Sequence, residues 1–285
     1  MTYHSPTLAE VIATLAVDRV DDDHFVATQL DNPAHHIVGG HIAGQALMAA
    51  SLTAPGRKPH SVHVYYVRAG DADRPVDFHV DVARDGGALS TRQITARQNG
   101  QILLEALASF TAPIESLDYH QPIPDVAGPD DLPPMQEQLA PYADERDGYW
   151  VRPQPFDLRY VDPPPRLAVD LPEPPERMRL WWRPNGSVPA DEVLHDCLLT
   201  YLSGTTMVEV ALARRRETPV STFNALIDHA LWFHRPVDLS DWVLSDQVSP
   251  SGTAGRGMTT STMYNRAGHL VCIATQELYF GRGTT

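Results

Sequence analysis

The chain has 285 residues and a formal net charge of -14 at pH 7. Hydrophobic residues make up 42% and charged residues 20%, the balance of a globular protein with a buried core. The negative charge argues against nucleic acid as a partner, because phosphate binding needs clustered Lys and Arg. The length favours two domains.

Several other classes are disfavoured by what the sequence lacks. Its apolar runs fall far short of the roughly 20 residues that span a bilayer, so no membrane association is predicted. Its start has no basic and apolar signal pattern, so a cytoplasmic location is expected. Cys197 and Cys272 show no CxxC spacing and are predicted to be buried, reduced thiols. The 13 histidines are scattered without an HExxH motif, so neither a metal nor another cofactor is expected.

The first half of the chain is predicted to form one helix followed by four strands. Residues 41–54 are rich in Ala, Leu and Met and free of Pro, which predicts a buried helix. Strands are predicted at 61–69, 75–84, 88–98 and 101–110; the second alternates apolar and polar residues, which is typical of an antiparallel sheet. Asn99-Gly100 between the last two is a hairpin turn signal.

A proline-rich acidic segment follows at 113–175. It holds 15 of the 25 prolines. Proline blocks helix interiors and central strands, which predicts a surface connector between two packed units. Tyr149, Trp150 and Phe156 indicate that its second half is packed against the body.

After the connector the order repeats. Ser187 is predicted to cap a second helix with Pro189 in its first turn, and strands are predicted at 223–234, 242–248, 257–265 and 269–280. Arg68 lies 32 positions before the turn glycine Gly100, and Arg235 lies 33 before Gly268. This near-equal spacing indicates an internal duplication.

Three stretches, 36–50, 84–110 and 227–236, resemble the type II acyl-CoA thioesterases. Weaker agreement at 185–189 and 275–277 extends the resemblance over nearly the whole chain. It implies an α+β fold of two tandem hotdog units, each a long helix wrapped by a curved antiparallel sheet. The predicted division is an N-terminal hotdog at 1–112, the connector at 113–175 and a C-terminal hotdog at 176–285. The implied activity is hydrolysis of fatty acyl-CoA, with the acyl chain between helix and sheet.

The resemblance also implies a catalytic set of Asp, Thr and Gln that orients and deprotonates water. The family's Tyr-Ala-Ser-Asp reads Tyr201-Leu202-Ser203-Gly204 here, so Gly204 stands at the acid position. Leu226 stands at the Thr position, before Ile-Asp-His. Gln276 matches the family's Gln and is the predicted catalytic residue. A positioned general base contributes about 10² to 10⁴-fold to rate, so its absence predicts weakened hydrolysis.

Other polar residues could line the pocket. They are His41 and Gln45, which share a helix face, Ser203 and Thr205 beside the vacant acid position, and Asp228 and His229 on one strand. Asp228 and His229 are adjacent and face opposite sides of a strand, which excludes them as one acid–base pair. Glu209 lies five positions past Gly204, on another helical face, and is not expected to replace the acid.

Two alternatives stay open. A non-catalytic acyl-CoA binding protein fits the missing Asp and Thr. A hotdog enoyl-CoA hydratase is suggested by Asp31-Asn32-Pro33-Ala34-His35-His36, although the motif is one residue short. The absence of a Gly-x-Ser-x-Gly elbow disfavours a serine hydrolase. Exposed sheet edges also predict association into homo-oligomers.

Overall fold

The computed structural model describes residues 5–32, 35–219 and 223–281. Within these ranges it has twelve strands and six α-helices. The helices are α1 (Leu8–Leu15), α2 (Gly39–Leu52), α3 (Met135–Gln138), α4 (Pro165–Ala168), α5 (Glu192–Thr206) and α6 (Val208–Arg214). The strands are β1 (Asp18–Arg19), β2 (His24–Ala27), β3 (Lys58–Tyr66), β4 (Val76–Asp85), β5 (Leu89–Gln98), β6 (Gln101–Thr111), β7 (Phe156–Tyr160), β8 (Arg177–Pro184), β9 (Asn224–Phe233), β10 (Val243–Thr253), β11 (Arg256–Asn265) and β12 (Leu270–Phe280).

All twelve strands form one antiparallel sheet, ordered β1-β2-β4-β5-β6-β3-β9-β12-β11-β10-β8-β7. Read from either end towards the centre, the strands follow the same pattern of sequence order. The halves meet where β3 pairs with β9, from Ser61 opposite Trp232 to Tyr65 opposite Asp228. Both predicted meanders are present, and the predicted α+β double hotdog fold is confirmed.

The two long helices pack against each other in opposite directions on the concave side of the sheet. Gly40 near the start of α2 meets Tyr201 and Gly204 near the end of α5, and Gly44 meets Cys197. A Cβ on Gly40 would lie 2.3 Å from the Tyr201 carbonyl oxygen, so this approach requires glycine. Cys197 and Cys272 are both buried free thiols, as predicted.

The start of α5 differs from the prediction. Asp191 is the N-cap, and its Oδ1 accepts hydrogen bonds from the amides of Val193 at 2.9 Å and Leu194 at 3.2 Å. The prediction of Ser187 as the N-cap is wrong, and Pro189 lies before the helix instead of in its first turn. A carboxylate caps a helix as well as a hydroxyl and adds a favourable charge at the positive end of the helix dipole.

The segment predicted as a connector contributes β7, which pairs with β8 at the outer edge of the second half. Phe156 and Trp150 of this segment are buried. The sequence did not predict β7, β8 or the two short strands β1 and β2. The division at residues 112 and 175 stays a prediction.

Candidate active site

A row of buried polar side chains crosses the inner face of the second half of the sheet. Gln276 on β12 is paired with His229 on β9 and with Thr259 on β11, so all three side chains point towards α5. Each is at most 1% exposed. Polar groups at this depth are unusual unless they are hydrogen-bonded.

Gln276 makes no side-chain hydrogen bond with the described protein atoms, through either Oε1 or Nε2. The same is true of Thr259 Oγ1 and of Gln247 Oε1 on β10. Leaving a buried polar group unpaired costs about 1–3 kcal/mol. Several such atoms on one inner face therefore mark a place suited to a polar ligand.

His229 joins this row to α5. Its Nε2 lies 2.9 Å from Ser203 Oγ, and burial lowers the pKa of His229 to about 4, so the imidazole is neutral near pH 7. Asp228 instead accepts a hydrogen bond from the Glu277 amide at 2.8 Å. Burial raises the pKa of Asp228.

The position of the expected acid is closed by backbone. A Cβ added to Gly204 would lie 2.6 Å from Gly40 Cα and 3.9 Å from His229 Cδ2. Leu226 Cδ1 would lie 2.6 Å from a Cβ on Gly39. Gly204 and Leu226 therefore converge at the N-terminus of α2, where Val38 provides no side-chain cap. The first amides of α2 therefore have no capping side chain to bond to, and amides at a helix N-terminus favour binding of an anionic oxygen.

A pocket of about 240 Å³ lies beside this position, between α5, α6 and the connector. Its wall is largely apolar, with polar groups from Thr205, Thr206 and Glu209. The lining residues are Ser5, Pro6, Leu30, Asp31, Asn32, Val38, Met135, Tyr149, Trp150, Gln154, Pro155, Phe156, Leu158, Tyr160, Pro165, Tyr201, Leu202, Thr205, Thr206, Glu209 and Pro219. A pocket with a mostly apolar wall and a few convergent polar groups is typical of a small-molecule site.

Glu209 lines this pocket together with Tyr201 and Thr205, which precede it at four-residue steps and so share its helical face. α5 ends at Thr206 and α6 begins at Val208, but Met207 between them keeps helical dihedral angles, with φ of -69° and ψ of -13°. Tyr160 donates a hydrogen bond of 2.7 Å to Glu209 Oε2. Burial raises the pKa of Glu209 to about 8. The helical angle from Gly204 pointed away from this carboxyl, because Gly204 packs against Gly40 and does not line the pocket.

Two family models match the chain. The acyl-CoA thioesterase N-terminal domain matches residues 28–111, and the acyl-CoA thioesterase C-terminal domain matches residues 129–280. The chain belongs to the acyl-CoA thioesterase family. The expected family resemblance is thereby confirmed.

Similar proteins match this member of the thioesterase family over nearly its whole length. The tesB protein of Mycobacterium avium subsp. paratuberculosis is 40% identical, with a TM-score of 0.82 over 96% of this chain and 100% of the other. The acyl-CoA thioesterase II TesB2 of Mycobacterium marinum is 30% identical, with a TM-score of 0.79 over 98% and 99%. Acyl-CoA thioesterase 2 of Haemophilus influenzae is 28% identical over 96% of this chain and 97% of its own length.

Two residues that were predicted as possible pocket residues of the thioesterase, His41 and Gln45, have other partners. His41 Nε2 lies 2.9 Å from Thr14 Oγ1. Gln45 Nε2 donates to the carbonyl oxygens of Thr14 and Thr28, at 2.6 and 2.8 Å. Both side chains tie α2 to the N-terminal segment, and neither lines the pocket.

The Asp31–His36 motif does not form an Asp–His pair in the described residues. His35 is exposed, and its Nδ1 lies 2.8 Å from Asp73 Oδ2. Asp31 and Asn32 line the pocket, while Pro33 and Ala34 lie outside the described residues. The geometry does not favour the hydratase alternative.

The described ranges contain no cluster of three or more His, Cys, Asp or Glu arranged to hold a metal ion. Nor does any helix in them have the length and apolar character needed to cross a bilayer.

The raised pKa of Glu209 has a consequence for stability. A carboxyl with a higher pKa in the folded state holds its proton more tightly there, so its contribution to stability falls as pH rises from the unfolded pKa of 4.5 to the folded pKa of about 8. We expect Glu209→Gln to gain stability relative to the parent between about pH 5 and about pH 8. Urea denaturation at both pH values measures this, and a difference in unfolding free energy that does not change with pH would contradict it.

Proposed function

We propose that this thioesterase hydrolyses fatty acyl-CoA to the free fatty acid and CoA, with Gln276 in its catalytic site. The observation that carries the proposal is the buried Gln276 amide, which has no hydrogen-bond partner among the described protein atoms on either side-chain atom. The printed names of the similar proteins, acyl-CoA thioesterases in two bacterial genera, agree with it.

The chemistry of an amide suits this reaction. The NH₂ group of Gln276 can donate to the thioester carbonyl oxygen, while its Oε1 can accept from the attacking water. The N-terminus of α2 beside Gly204 offers further amide donors to the developing oxyanion. Gly204 and Leu226 supply neither a base nor a hydroxyl, so we expect hydrolysis to be slow.

A thiol-release assay on the unmodified protein tests the proposal. Fatty acyl-CoA substrates of increasing chain length would be supplied, and free CoA would be measured with a thiol reagent. Release above the rate in buffer is expected at some chain lengths. No release at any chain length would refute hydrolysis.

Gln276→Ala is expected to lower the measured kcat/KM about 10-fold or more, because the substitution removes a donor to the oxyanion or to water. Gln98→Ala is the matched control, since Gln98 is a buried glutamine of the first half whose side chain bonds Asp71. Its rate should stay close to that of the parent. An unchanged rate in Gln276→Ala would remove Gln276 from the site.

A second candidate is a non-catalytic acyl-CoA binding protein. The backbone contact between Gly204 and Gly40, which occupies the place of the family acid, favours it. Calorimetric titration with a thioether analogue of acyl-CoA separates the candidates when it is combined with the thiol assay. Binding without CoA release would favour the binding protein.

The cytoplasmic location and the homo-oligomer remain predictions of the sequence. Size-exclusion chromatography with light scattering would measure the number of subunits.

A further inference from the structure

We propose that Glu209 takes the proton from the attacking water, in place of the carboxyl that is missing at Gly204. The inference rests on the proposed hydrolysis. It differs from the family pattern because the carboxyl comes from α6, five positions after Gly204.

The first support is the position of Glu209. Its side chain lines the 240 Å³ pocket together with Thr205 and Thr206, which directly follow Gly204. Val38, the residue before α2, lines the same pocket, so the uncapped end of α2 adjoins it. A thioester carbonyl at this end of the pocket would lie beside the Glu209 carboxyl and beside Val38, the residue that precedes the first amides of α2.

The second support is the absence of a structural partner that would neutralise the carboxyl. The described pocket wall contains no Lys, Arg or His. Its other ionisable groups are Tyr149, Tyr160, Tyr201 and Asp31. Glu209 forms no ion pair with a described residue at 4.0 Å or less, and its hydrogen bond comes from the neutral Tyr160 hydroxyl. A buried carboxyl without a cation is costly to keep, and such groups are concentrated at functional sites.

The third support is the hydrogen bonding of the two threonines. Thr205 Oγ1 and Thr206 Oγ1 both donate to the Leu202 carbonyl oxygen, at 2.9 and 3.0 Å. Because each hydroxyl hydrogen is used in this way, the oxygens can only accept; Thr206 Oγ1 already accepts from Gln247 Nε2 at 3.5 Å, while Thr205 Oγ1 has both lone pairs for water. A water molecule could donate one hydrogen to a threonine and the other to the Glu209 carboxylate.

The reaction balances without a further reactant. The Glu209 carboxylate removes a proton from water while the water oxygen bonds to the thioester carbon. The C–S bond then breaks, and the CoA sulfur leaves and takes that proton from the Glu209 carboxyl. The products are the fatty acid and CoA, and Glu209 returns to its carboxylate form.

The substitution that tests this is Glu209→Gln, which keeps the shape and can still accept the Tyr160 hydrogen bond. We expect kcat/KM for CoA release to fall about 10²-fold or more, the range of a general base. In the parent, kcat/KM should rise with pH around the folded pKa of about 8, because the carboxylate is the active form. Glu209→Gln should lose this rise.

Tyr160→Phe supplies a readout that a merely structural role would not move. The Tyr160 hydrogen bond lowers the pKa of Glu209, so its removal should shift the rise in kcat/KM to higher pH. A rise that stays in place would overturn the assignment.

Asp196→Asn is the matched control. Burial raises the pKa of Asp196 to about 8 as well, but Asp196 lies near the start of α5 and does not line this pocket. Its kcat/KM should match that of the parent. An equal loss in both variants would overturn the assignment, since it would indicate a general effect of changing a buried carboxyl.

The outcomes separate the two proposals. If the parent releases CoA and Glu209→Gln does so at the same rate, the role of Glu209 is refuted and the hydrolysis stands. If the parent releases no CoA at any chain length and pH, both are refuted.

Discussion

In a Glu209→Gln background, the double variant Gly204→Asp, Leu226→Thr is expected to release CoA from fatty acyl-CoA about 10² to 10⁴ times faster than Glu209→Gln alone, which is the contribution of a positioned general base. The two substitutions restore the acid and hydroxyl that the family resemblance places at these positions. Both positions adjoin the N-terminus of α2, so the new groups would lie next to its first amides. The thiol-release assay at matched protein concentration measures the gain.

The gain requires the two long helices to move apart. The Cβ at position 204 would lie 2.6 Å from Gly40 Cα, and backbone cannot give way as a side chain can. We expect a loss of about 1–3 kcal/mol in the free energy of unfolding, the usual cost of overpacking.

Gly204→Asn with Leu226→Thr in the same Glu209→Gln background is the matched control, because it carries the same strain without a base. A rate no higher than that of this control would show that an acid at position 204 is not functional in this chain. A parent that already equals the Asp variant would refute the binding-protein alternative and would support a replacement base elsewhere.

The second large effect is on stability. Gly40→Ala is expected to lower the free energy of unfolding by about 3 kcal/mol, at the upper end of the cost of overpacking. Its Cβ would lie 2.3 Å from the Tyr201 carbonyl oxygen and 3.2 Å from Gly204 Cα. Alanine is favoured over glycine in a helix by about 1 kcal/mol. A net loss of stability in Gly40→Ala would therefore show that the clash between α2 and α5 outweighs this preference. Urea denaturation measures this loss as a lower urea concentration at the unfolding midpoint, with an unchanged m-value.

Gly87→Ala is the control for this experiment. A Cβ at Gly87 meets no atom within 4 Å, so the substitution should be neutral or stabilise by about 0.4–1 kcal/mol. The stability of Gly44→Ala should lie between those of the other two variants, because its Cβ would lie 3.0 Å from the nearest backbone atom, the Cys197 carbonyl oxygen. Equal stability of Gly40→Ala and Gly87→Ala would mean that the helices separate without cost.

The sequence predicts the sheet well where a strand has one buried face. The alternation of Val76, Phe78 and Val80 with polar residues matches the observed burial of β4. The Asn99-Gly100 turn is equally clear, since both residues adopt positive φ. These signals are local, and the duplication repeats them in the second half.

The sequence fails where a strand or helix end depends on distant partners. β7 is short and follows a proline-rich stretch, and it is a strand because β8 is beside it. The close packing of Gly204 against Gly40 is likewise visible only in three dimensions.

The candidate site shows the same limit. Gln276 could be predicted from a short motif near the end of the chain. Glu209 could not, since its hydrogen bond with Tyr160 joins residues 49 positions apart. The loss of space at Gly204 was also invisible, because it arises between the two copies.

The pairing of β3 with β9 has a consequence for assembly. Two separate hotdog units can dimerise by pairing the edge strands that correspond to β3 and β9, but in this chain these two strands are already paired with each other. The outer borders that remain are β1, of two residues, and β7, of five, and short borders resist strand addition. Quaternary contacts between whole molecules are therefore expected on the convex surface, where Tyr65 and Leu107 are more than half exposed.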